Sequence, residues 1–461
     1  MSRMNRRGFI NSIIGASTTL PFWQRPIMTQ PMHASGPEPT LAVPTPEQTA
    51  WQDLEIGMFV HFAPNTWQDR EYDDLSTPLS AINPPQLGTD QWVECALGLG
   101  AKYIVFVAKH VGGFCMWQTE TTSYGIRNTP WRNGKGDVMA DLSHSCRKRG
   151  LKLGVYLSPR DDNLGAGTGG QCKTPEAQAA YNAIYRRQLS ELLTRYGEMV
   201  EIWFDGSVVI PVGDILKEFA PHAMIFQGSC ATIRWVGNED GFAPYPAWNA
   251  VSKSDAESGV ATAIHSNPNE SVWLPIEADV SIRRPNWFWS TQNERYLLSL
   301  DQLLEIYYRS VGHGAQMLIN VPADRRGLLP EADGARAREF GNEIRRRFGR
   351  SVAETQGPAE SLTLSLPSPD RIDHVILEED CSAGQRVRAY RLEARAQGSW
   401  RTLGTGTAIG HKRIQPVAPT VVDAVTLTTT QSVGQAAIRR LAVFNTGATP
   451  PSTGAAPAMR G

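Results

Sequence analysis

Short apolar runs rich in Val, Ile and Phe alternate with longer segments of helical periodicity between residues 50 and 350. This alternation is typical of parallel strands joined by crossover helices. Two segments repeat apolar or aromatic side chains every three or four positions, which predicts helices with one buried face. The two stripes are Tyr181, Tyr185, Leu189, Leu192 and Tyr196, and Leu300, Leu303, Leu304, Tyr307 and Val311. Strands are predicted at residues 57–62, 102–108, 152–158, 199–205, 223–227, 272–279 and 316–321.

The number of predicted strands limits the fold of this part of the chain. Seven strands in about 300 residues come close to the eight strands and the usual length of a (β/α)8 barrel. The sequence therefore predicts an α/β fold, a TIM-like (β/α)8 barrel, over residues 45–350. A doubly wound parallel sheet is the alternative, since residues 229–270 show no regular pattern.

The pattern changes after residue 350. Segments that alternate at period two around Gly, Pro and Asp turns replace the helical stripes, at residues 361–366, 373–377, 387–396, 399–403 and 424–429. This predicts a C-terminal antiparallel β-sandwich domain over residues 355–447. Residues 448–461, rich in Pro, Gly and Ala, are expected to form a flexible tail.

The N-terminus has the features of a targeting segment. Arg6 and Arg7 precede an uncharged stretch at residues 10–22, a pattern that resembles a twin-arginine export signal. The stretch is too short and too polar to span a bilayer. We therefore expect residues 1–34 to be a signal peptide, a periplasmic or secreted mature protein, and no membrane insertion of the mature chain.

Charge and composition exclude several classes of partner and cofactor. The chain has 45 Lys and Arg against 46 Asp and Glu and no long run of one sign, so no nucleic-acid partner is expected. The six cysteines show neither CxxC nor Cys/His ligand spacing, so we predict no metal and no cofactor. Tryptophan is abundant: 11 of the 13 lie between Trp51 and Trp289, where they serve either core packing or stacking on sugar rings.

Polar residues close nearly all of the predicted strands. In a barrel, the carboxyl ends of the strands meet at one rim, where the chemistry takes place. These residues predict a mouth with two histidines and at least three carboxyl groups: His61, Lys109, His110, Ser158, Asp161, Asp205, Glu277, Asp279 and Asn320. Carboxyl groups and Trp without metal, phosphate-loop or GxSxG motifs favour glycoside hydrolysis, which needs one ionised and one protonated carboxyl group.

Longer motifs identify a family. The motifs are GMFVHFA (57–63), GFCMW (113–117), NTPW (128–131), YLSP (156–159), WFDG (203–206), RWVGNE (234–239), EADVSIR (277–283) and INVP (319–322). In these motifs, which follow one another in unbroken order from residue 50 to 350, the chain resembles glycoside hydrolase family 29, the α-L-fucosidases. The element WVGNE is similar to the branch that prefers α-1,3/1,4-linked fucose. The C-terminal motifs DHVILEED (373–380) and IGHKRI (409–414) resemble the family's β-sandwich.

The resemblance implies an activity and two catalytic residues. It implies an exo-acting, retaining α-L-fucosidase on a distorted barrel, acting on α-1,3/1,4-fucosylated oligosaccharides or glycoconjugates. Asp205 matches the nucleophile and Glu239 the acid/base of the double displacement. Glu277 is the alternative acid or a ligand. The oligomeric state is left open.

The resemblance also implies a sugar-binding shell. Its members here are His61, Glu71, Tyr72, His110, Tyr156, Trp203, Arg234 and Trp287. The chain departs from the family at Val111 and Gly112, where the family has His and Asp. A buried hydroxyl that loses its partner costs about 1–3 kcal/mol. Two alternatives therefore stay open: a family member acting on a different L-sugar glycoside, and a non-catalytic carbohydrate-binding protein.

Overall fold

The computed structural model describes residues 40–448. Its first ten strands are β1 (Ile56–Val60), β2 (Tyr103–Lys109), β3 (Lys152–Leu157), β4 (Met199–Trp203), β5 (Met224–Phe226), β6 (Arg234–Trp235), β7 (Ala250–Val251), β8 (Val272–Trp273), β9 (Ile276–Ser281) and β10 (Gln316–Asn320). Eight of them form one parallel sheet in the order β5-β4-β3-β2-β1-β10-β9-β6. A parallel bridge between Phe226 and Ile233 joins the two edges. The predicted barrel is thereby confirmed.

The region without a regular pattern supplies the eighth barrel strand. Strand β6 has only two residues, too few for a periodic signal, and it pairs with β9. The predicted strand at residues 272–279 is divided between β8, which pairs with β7 outside the barrel, and β9. Pro275 lies between them, and a proline has no N–H to continue a ladder.

Helices cover the outside of the barrel. They are α1 (Pro46–Gln52), α2 (Asn65–Gln68), α3 (Thr89–Leu99), α4 (Val138–Arg149), α5 (Pro175–Arg195), α6 (Gly213–Phe219), α7 (Lys253–Ser258), α8 (Leu300–Arg309) and α9 (Glu331–Phe348). The two predicted stripes correspond to α5 and α8, each of which buries one face. Helix α5 begins with Pro175 after the N-cap Thr174, whose side chain accepts from the Ala177 N–H.

Period-two alternation along the strands separates two apolar layers. Outward residues such as Met58, Ile104 and Ile202 join the large core between strands and helices. Inward residues such as Phe59, Tyr103 and Trp203 fill the barrel interior. The interior is therefore packed, and open space is left only at the carboxyl ends of the strands.

The C-terminal part is antiparallel. Its strands are β11 (Ala353–Pro358), β12 (Ser361–Glu379), β13 (Val387–Ala396), β14 (Ser399–Gly406), β15 (Arg413–Ser432) and β16 (Ala437–Phe444), in the order β11-β16-β12-β15-β13-β14. Two predicted segments belong to the single long strand β12, and β11 and β16 were not predicted. Register shifts interrupt the β12–β15 pairing, and the strands enclose their own apolar core. The predicted second domain of antiparallel strands is confirmed.

The structure describes neither end of the chain. The predicted signal peptide, residues 1–34, and residues 449–461 of the predicted tail are outside the described residues. Within residues 40–448, no helix combines the length and apolarity that crossing a membrane requires.

Candidate active site

A cavity of about 390 Å³ opens at the carboxyl ends of the barrel strands. This volume lies within the range of small-molecule sites. Ten of the residues predicted for the barrel mouth or the site line it: His61, Glu71, Tyr72, His110, Tyr156, Trp203, Asp205, Glu239, Asp279 and Trp287. The sequence pattern and the resemblance therefore lead to one location.

Aromatic rings close the bottom of the cavity. Trp203 stacks on Phe226 with ring centroids 3.5 Å apart and planes at 7°. Phe59 meets the edge of Trp203 at 5.0 Å. Because all three rings also belong to the packed interior, the cavity is a pocket with a rigid apolar floor.

Asp205 stands at the cavity wall two residues after the end of β4. The Tyr156 hydroxyl donates to Asp205 Oδ2 at 3.0 Å. The turn that follows is fixed by Gln227, whose Oε1 accepts from the N–H groups of Gly206 and Ser207 at 2.8 and 3.1 Å. Burial raises the pKa of Asp205, the Tyr156 hydrogen bond lowers it, and the charge of Glu239 raises it.

Glu239 reaches the same cavity from the loop after β6. The Asn238 side chain folds this loop, since its Oδ1 accepts from the Asp240 and Phe242 N–H groups at 3.1 and 3.2 Å. An antiparallel bridge between Asp240 and Val280 fastens the loop to β9. The Glu239 side chain is 41% exposed and forms an ion pair with Arg284 at 3.4 Å.

Asp279 is a third carboxyl group in the lining beside Asp205 and Glu239. The Trp235 indole N–H donates to Asp279 Oδ1 at 2.5 Å. Burial raises the pKa of Asp279 to about 8, and the charges of Glu239 and Asp205 add to that rise. This rise favours the protonated form of Asp279 near neutral pH, in which an O–H is available as a donor.

Both histidines of the cavity are neutral. Burial, with a smaller contribution from the nearby His110, lowers the pKa of His61 well below its usual range, and burial lowers the pKa of His110 to about 3. Asn320 Nδ2 donates to Ser281 and to the Trp287 carbonyl, so its Oδ1 accepts from His61 Nδ1 at 2.8 Å. This fixes the tautomer of His61, whose Nε2 is left as an acceptor.

Glu71 and Trp287 form one unit of the wall. The Trp287 backbone N–H donates to Glu71 Oε2 at 2.8 Å, and burial raises the pKa of Glu71. Tyr72 is 67% exposed at the rim. The wall thus offers a carboxyl acceptor inside and an aromatic surface at the entrance.

Two predicted site residues lie outside the cavity. Glu277 is fully buried inside the barrel beneath the floor, so the alternative role of acid does not fit its position. Arg234 is buried on the outer side of β6, where its Nη2 donates to Ser266 at 2.8 Å and to the Trp248 carbonyl. Neighbouring residues of a strand face opposite sides, so Trp235 faces the cavity and Arg234 faces away.

A β-bulge just before Lys109 sends the side chains of Lys109 and His110 to different sides of the barrel wall. The pairing of β2 with β3 shifts register between Val107 and Lys109. As a result Lys109 points outward, where its Nζ donates to Asp161 and Gln188 at 3.1 and 3.0 Å. The strand-end residues Lys109 and Asp161 therefore belong to the structure around the barrel, and of the pair only His110 faces the cavity.

The two departures from the family have different surroundings. Val111 lines the cavity. Gly112 does not leave a void, since a Cβ at this position would lie 2.3 Å from Asp73 Oδ2. Asp73 accepts from the Tyr124 hydroxyl at 2.7 Å and from Gln68 Nε2 at 2.8 Å. A carboxylate from another loop thus occupies the space beside residue 112.

Some lining residues were not predicted. They are Phe59, Phe226, Gln227, Trp235 and Phe288. Trp235 had a usable signal, because the alternation of a strand through RWVGNE would set it opposite Arg234. Among the described residues, no group of three or more His, Cys, Asp or Glu is arranged to hold a metal ion. All six cysteines are free thiols.

Comparison with known proteins gives the same family throughout. The alpha-L-fucosidase family model matches residues 66–347. Alpha-L-fucosidase 1 of Arabidopsis thaliana is 33% identical over 430 residues, which are 82% of this chain and 82% of that protein.

Solved structures agree. A glycoside hydrolase 29 family member from an unknown rumen bacterium has a TM-score of 0.78 at 30% identity, covering 90% of this chain and 79% of its own. A GH29 fucosidase of Ruminococcus gnavus in complex with fucose has a TM-score of 0.78 at 26% identity, covering 88% of this chain and 96% of its own. With the matched residues spanning the barrel and its carboxyl-lined cavity, this chain belongs to the alpha-L-fucosidase family, glycoside hydrolase family 29, and is a glycoside hydrolase.

Proposed function

We propose that this protein is an exo-acting, retaining α-L-fucosidase that releases terminal α-1,3/1,4-linked L-fucose from oligosaccharides or glycoconjugates. The observation that carries the proposal is the convergence of Asp205 and Glu239, from different elements, on one pocket with an aromatic floor. A pocket closed at the bottom accepts a chain end and not the middle of a polymer. The retaining mechanism requires two such carboxyl groups on opposite sides of the scissile bond.

Asp205 acts as the nucleophile. Its carboxylate attacks the anomeric carbon and displaces the leaving oxygen, which forms a covalent fucosyl-enzyme. The Tyr156 hydroxyl and the Gln227-bound turn hold the carboxylate in place, so that little reorganisation is needed on the way to the transition state. Burial removes water from this carboxylate and makes it a better nucleophile.

Glu239 acts as the acid/base. It gives its proton to the leaving oxygen in the first step and takes a proton from the attacking water in the second, which restores Asp205 and its own starting state. Its half-exposed position suits both tasks, because leaving group and water arrive from the solvent side. Arg284 holds the side chain at the mouth of the pocket.

The neutral histidines and Glu71 bind the sugar hydroxyls. His61 Nε2 accepts a hydroxyl proton, since its Nδ1–H is already committed to Asn320. Glu71 is fixed by the Trp287 N–H and provides a further acceptor, and Trp287 packs on the apolar side of the sugar. Tyr72 at the rim contacts the rest of the glycan.

Substrate release tests the activity. We expect the purified protein to release fucose from α-1,3/1,4-fucosylated oligosaccharides faster than from 4-nitrophenyl α-L-fucoside. Absence of hydrolysis from both would refute the activity. Release of another L-sugar from a panel of aryl L-glycosides, without release of fucose, would favour the alternative specificity that Val111 suggests.

Two variants test the catalytic residues. Asp205→Gly is expected to lose activity by at least about a thousandfold and to regain part of it with azide, which replaces the carboxylate at the anomeric carbon. Glu239→Gln is expected to lose far more activity than Asp240→Asn, the matched control that shares Arg284 but does not line the pocket. If azide does not restore activity to Asp205→Gly, Asp205 is not the nucleophile. If Glu239→Gln and Asp240→Asn lose activity equally, Glu239 is not the acid/base.

The same proposal includes export by the twin-arginine route. Residues 1–34 fused to a folded reporter are expected to deliver it to the periplasm, and the double change Arg6→Lys and Arg7→Lys is expected to retain it in the cytoplasm. A reporter exported equally well by both versions would contradict the route.

A further inference from the structure

Two carboxyl groups are buried inside the barrel beneath the pocket floor. Glu201 on β4 and Glu277 on β9 are both 0% exposed, and neither lines the pocket. Buried carboxyl groups are rare unless they are paired or hydrogen-bonded. The catalytic roles described above use neither of them.

Glu201 is saturated by uncharged donors. The Trp51 indole N–H donates to its Oε2 at 2.7 Å, and the Trp203 indole N–H donates to its Oε1 at 2.6 Å. Both oxygens therefore accept, and an indole N–H can only donate. Burial raises the pKa of Glu201, but its hydrogen bonds with Trp51, Glu277 and Trp203 lower it and favour the ionised form.

Glu277 has one oxygen without a donor. The Tyr103 hydroxyl donates to Glu277 Oε2 at 3.2 Å, while Oε1 receives no donor from the described residues. The carboxyl groups of Glu277 and Glu201 are themselves within hydrogen-bonding contact. Two carboxylates repel, so this contact requires one proton, and Glu277 has the free position for it.

The surroundings favour the same protonation state. Burial, followed by the charge of Glu201, raises the pKa of Glu277 well above its usual range. Other titratable groups inside the barrel near Glu277 and Glu201 are Tyr103 on β2, Asp279 on β9 and Asp205 just after β4. Burial likewise raises the pKa values of these three groups.

We propose that Glu277 and Glu201 share one proton inside the barrel, and that ionised Glu201 is a positioning residue that holds the ring of Trp203 on the pocket floor. Glu201 and Trp203 occupy successive inward-facing positions of β4, and Asp205 follows two residues after the end of the strand. A hydrogen bond to the indole from below and the stack on Phe226 together leave the ring one orientation. The kinetic consequence rests on the proposed function; the shared proton does not.

Two amide variants test the assignment. In Glu277→Gln the amide N–H replaces the shared O–H, so kcat/KM is expected to stay within about threefold of the wild type. In Glu201→Gln one oxygen becomes an NH2 group that faces a donor, so kcat/KM is expected to fall by about tenfold or more, mainly through KM. Glu191→Gln is the matched control. Glu191 also accepts a hydrogen bond from an indole, that of Trp117 at 3.0 Å, but it does not line the pocket. It is expected to leave KM unchanged.

Infrared spectroscopy tests the proton without substrate. The carbonyl stretch of a protonated carboxylic acid is expected in the wild type at about pH 9, where ordinary carboxyl groups are ionised, and its loss is expected in Glu277→Gln. It should persist in Glu191→Gln. An unchanged band in Glu277→Gln, or the reverse order of kinetic losses, overturns the proposal. A wild type with the band but without fucosidase activity instead overturns the proposed function alone.

Discussion

Val111 lines the pocket with an alkyl group at the position where the family resemblance leads us to expect a histidine. The neighbouring His110 and His61 are neutral and able to exchange hydrogen bonds with hydroxyls, but a branched alkyl side chain has no donor or acceptor. A sugar hydroxyl that faces residue 111 therefore loses a partner. Residue 111 can therefore be changed to test hydroxyl binding without altering the carboxyl groups of the pocket.

We expect Val111→His to lower KM for 4-nitrophenyl α-L-fucoside by about tenfold at nearly unchanged kcat, because one buried hydrogen bond contributes about 1 kcal/mol or more. Steady-state kinetics measure both constants. Val111→Leu is the control, since it changes volume without adding a donor. An unchanged or higher KM in Val111→His would mean that no fucose hydroxyl faces this position.

At the scale of elements, the loop that holds Asp73 compensates for a side chain missing from the segment after β2. Asp73 is buried and fills the space that a side chain at residue 112 would need. Its carboxylate accepts from Tyr124 and Gln68, which hold it beside residue 112. The loop that contains Asp73 and the segment that contains Gly112 pack so closely that only one of the two positions can carry a carboxyl group.

Gly112→Asp is expected to lower the free energy of unfolding by about 1–3 kcal/mol, because the new side chain overlaps Asp73. Adding Asp73→Gly is expected to recover part of this loss, since the carboxyl group then comes from residue 112. Urea denaturation of both single variants and the double variant gives the coupling energy. Strictly additive effects would show that the two positions do not compete.

At the scale of the whole molecule, buried carboxyl groups make stability depend on pH. Asp279 has a pKa of about 8 in the folded protein, against about 3.9 for an unfolded chain. Between these values the folded protein holds a proton that the unfolded chain has released. The contribution of this group is therefore fully present below about pH 4 and is lost as the pH rises through about 8.

Asp279→Asn tests this dependence, because the amide keeps an acceptor for Trp235 and cannot titrate. The free energy of unfolding of the wild type, relative to the variant, is expected to fall by a few kcal/mol, on the order of 1–4, between about pH 5 and about pH 8. Urea denaturation across this range measures it. Asp301→Asn, on the exposed start of α8, should show no such trend. A constant difference for Asp279→Asn would contradict the raised pKa.

The C-terminal sheet contacts the barrel through polar as well as apolar groups. Tyr308 on α8 and His374 on β12 form a hydrogen bond of 2.8 Å in a buried position. The Tyr245 hydroxyl, from the loop after β6, donates to the Ala408 carbonyl at 2.9 Å. The loop that contains Glu239 leads directly to this contact, so the second domain supports the side of the barrel that provides the candidate acid.

The barrel, the antiparallel domain after it, and the position of His61, His110 and Asp205 at the rim could all be predicted from the sequence. These follow from local periodicity and from polar residues at strand ends, which depend only on nearby residues. Through the resemblance it also pointed to Glu239, which no periodic pattern marks.

Which of the neighbouring side chains face the pocket, and which remote side chains contact one another, could be seen only in the folded structure. A bulge directs Lys109 outward, and the alternation of side chains along β6 directs Arg234 away from the pocket. Glu277 lies deep inside the barrel, below the pocket and near Glu201. The short strand β6 had too few residues for a pattern, and the proximity of Asp73 to Gly112 depends on two loops far apart in the chain. The packing of the whole barrel sets the distances between remote segments, and local sequence patterns cannot predict these distances.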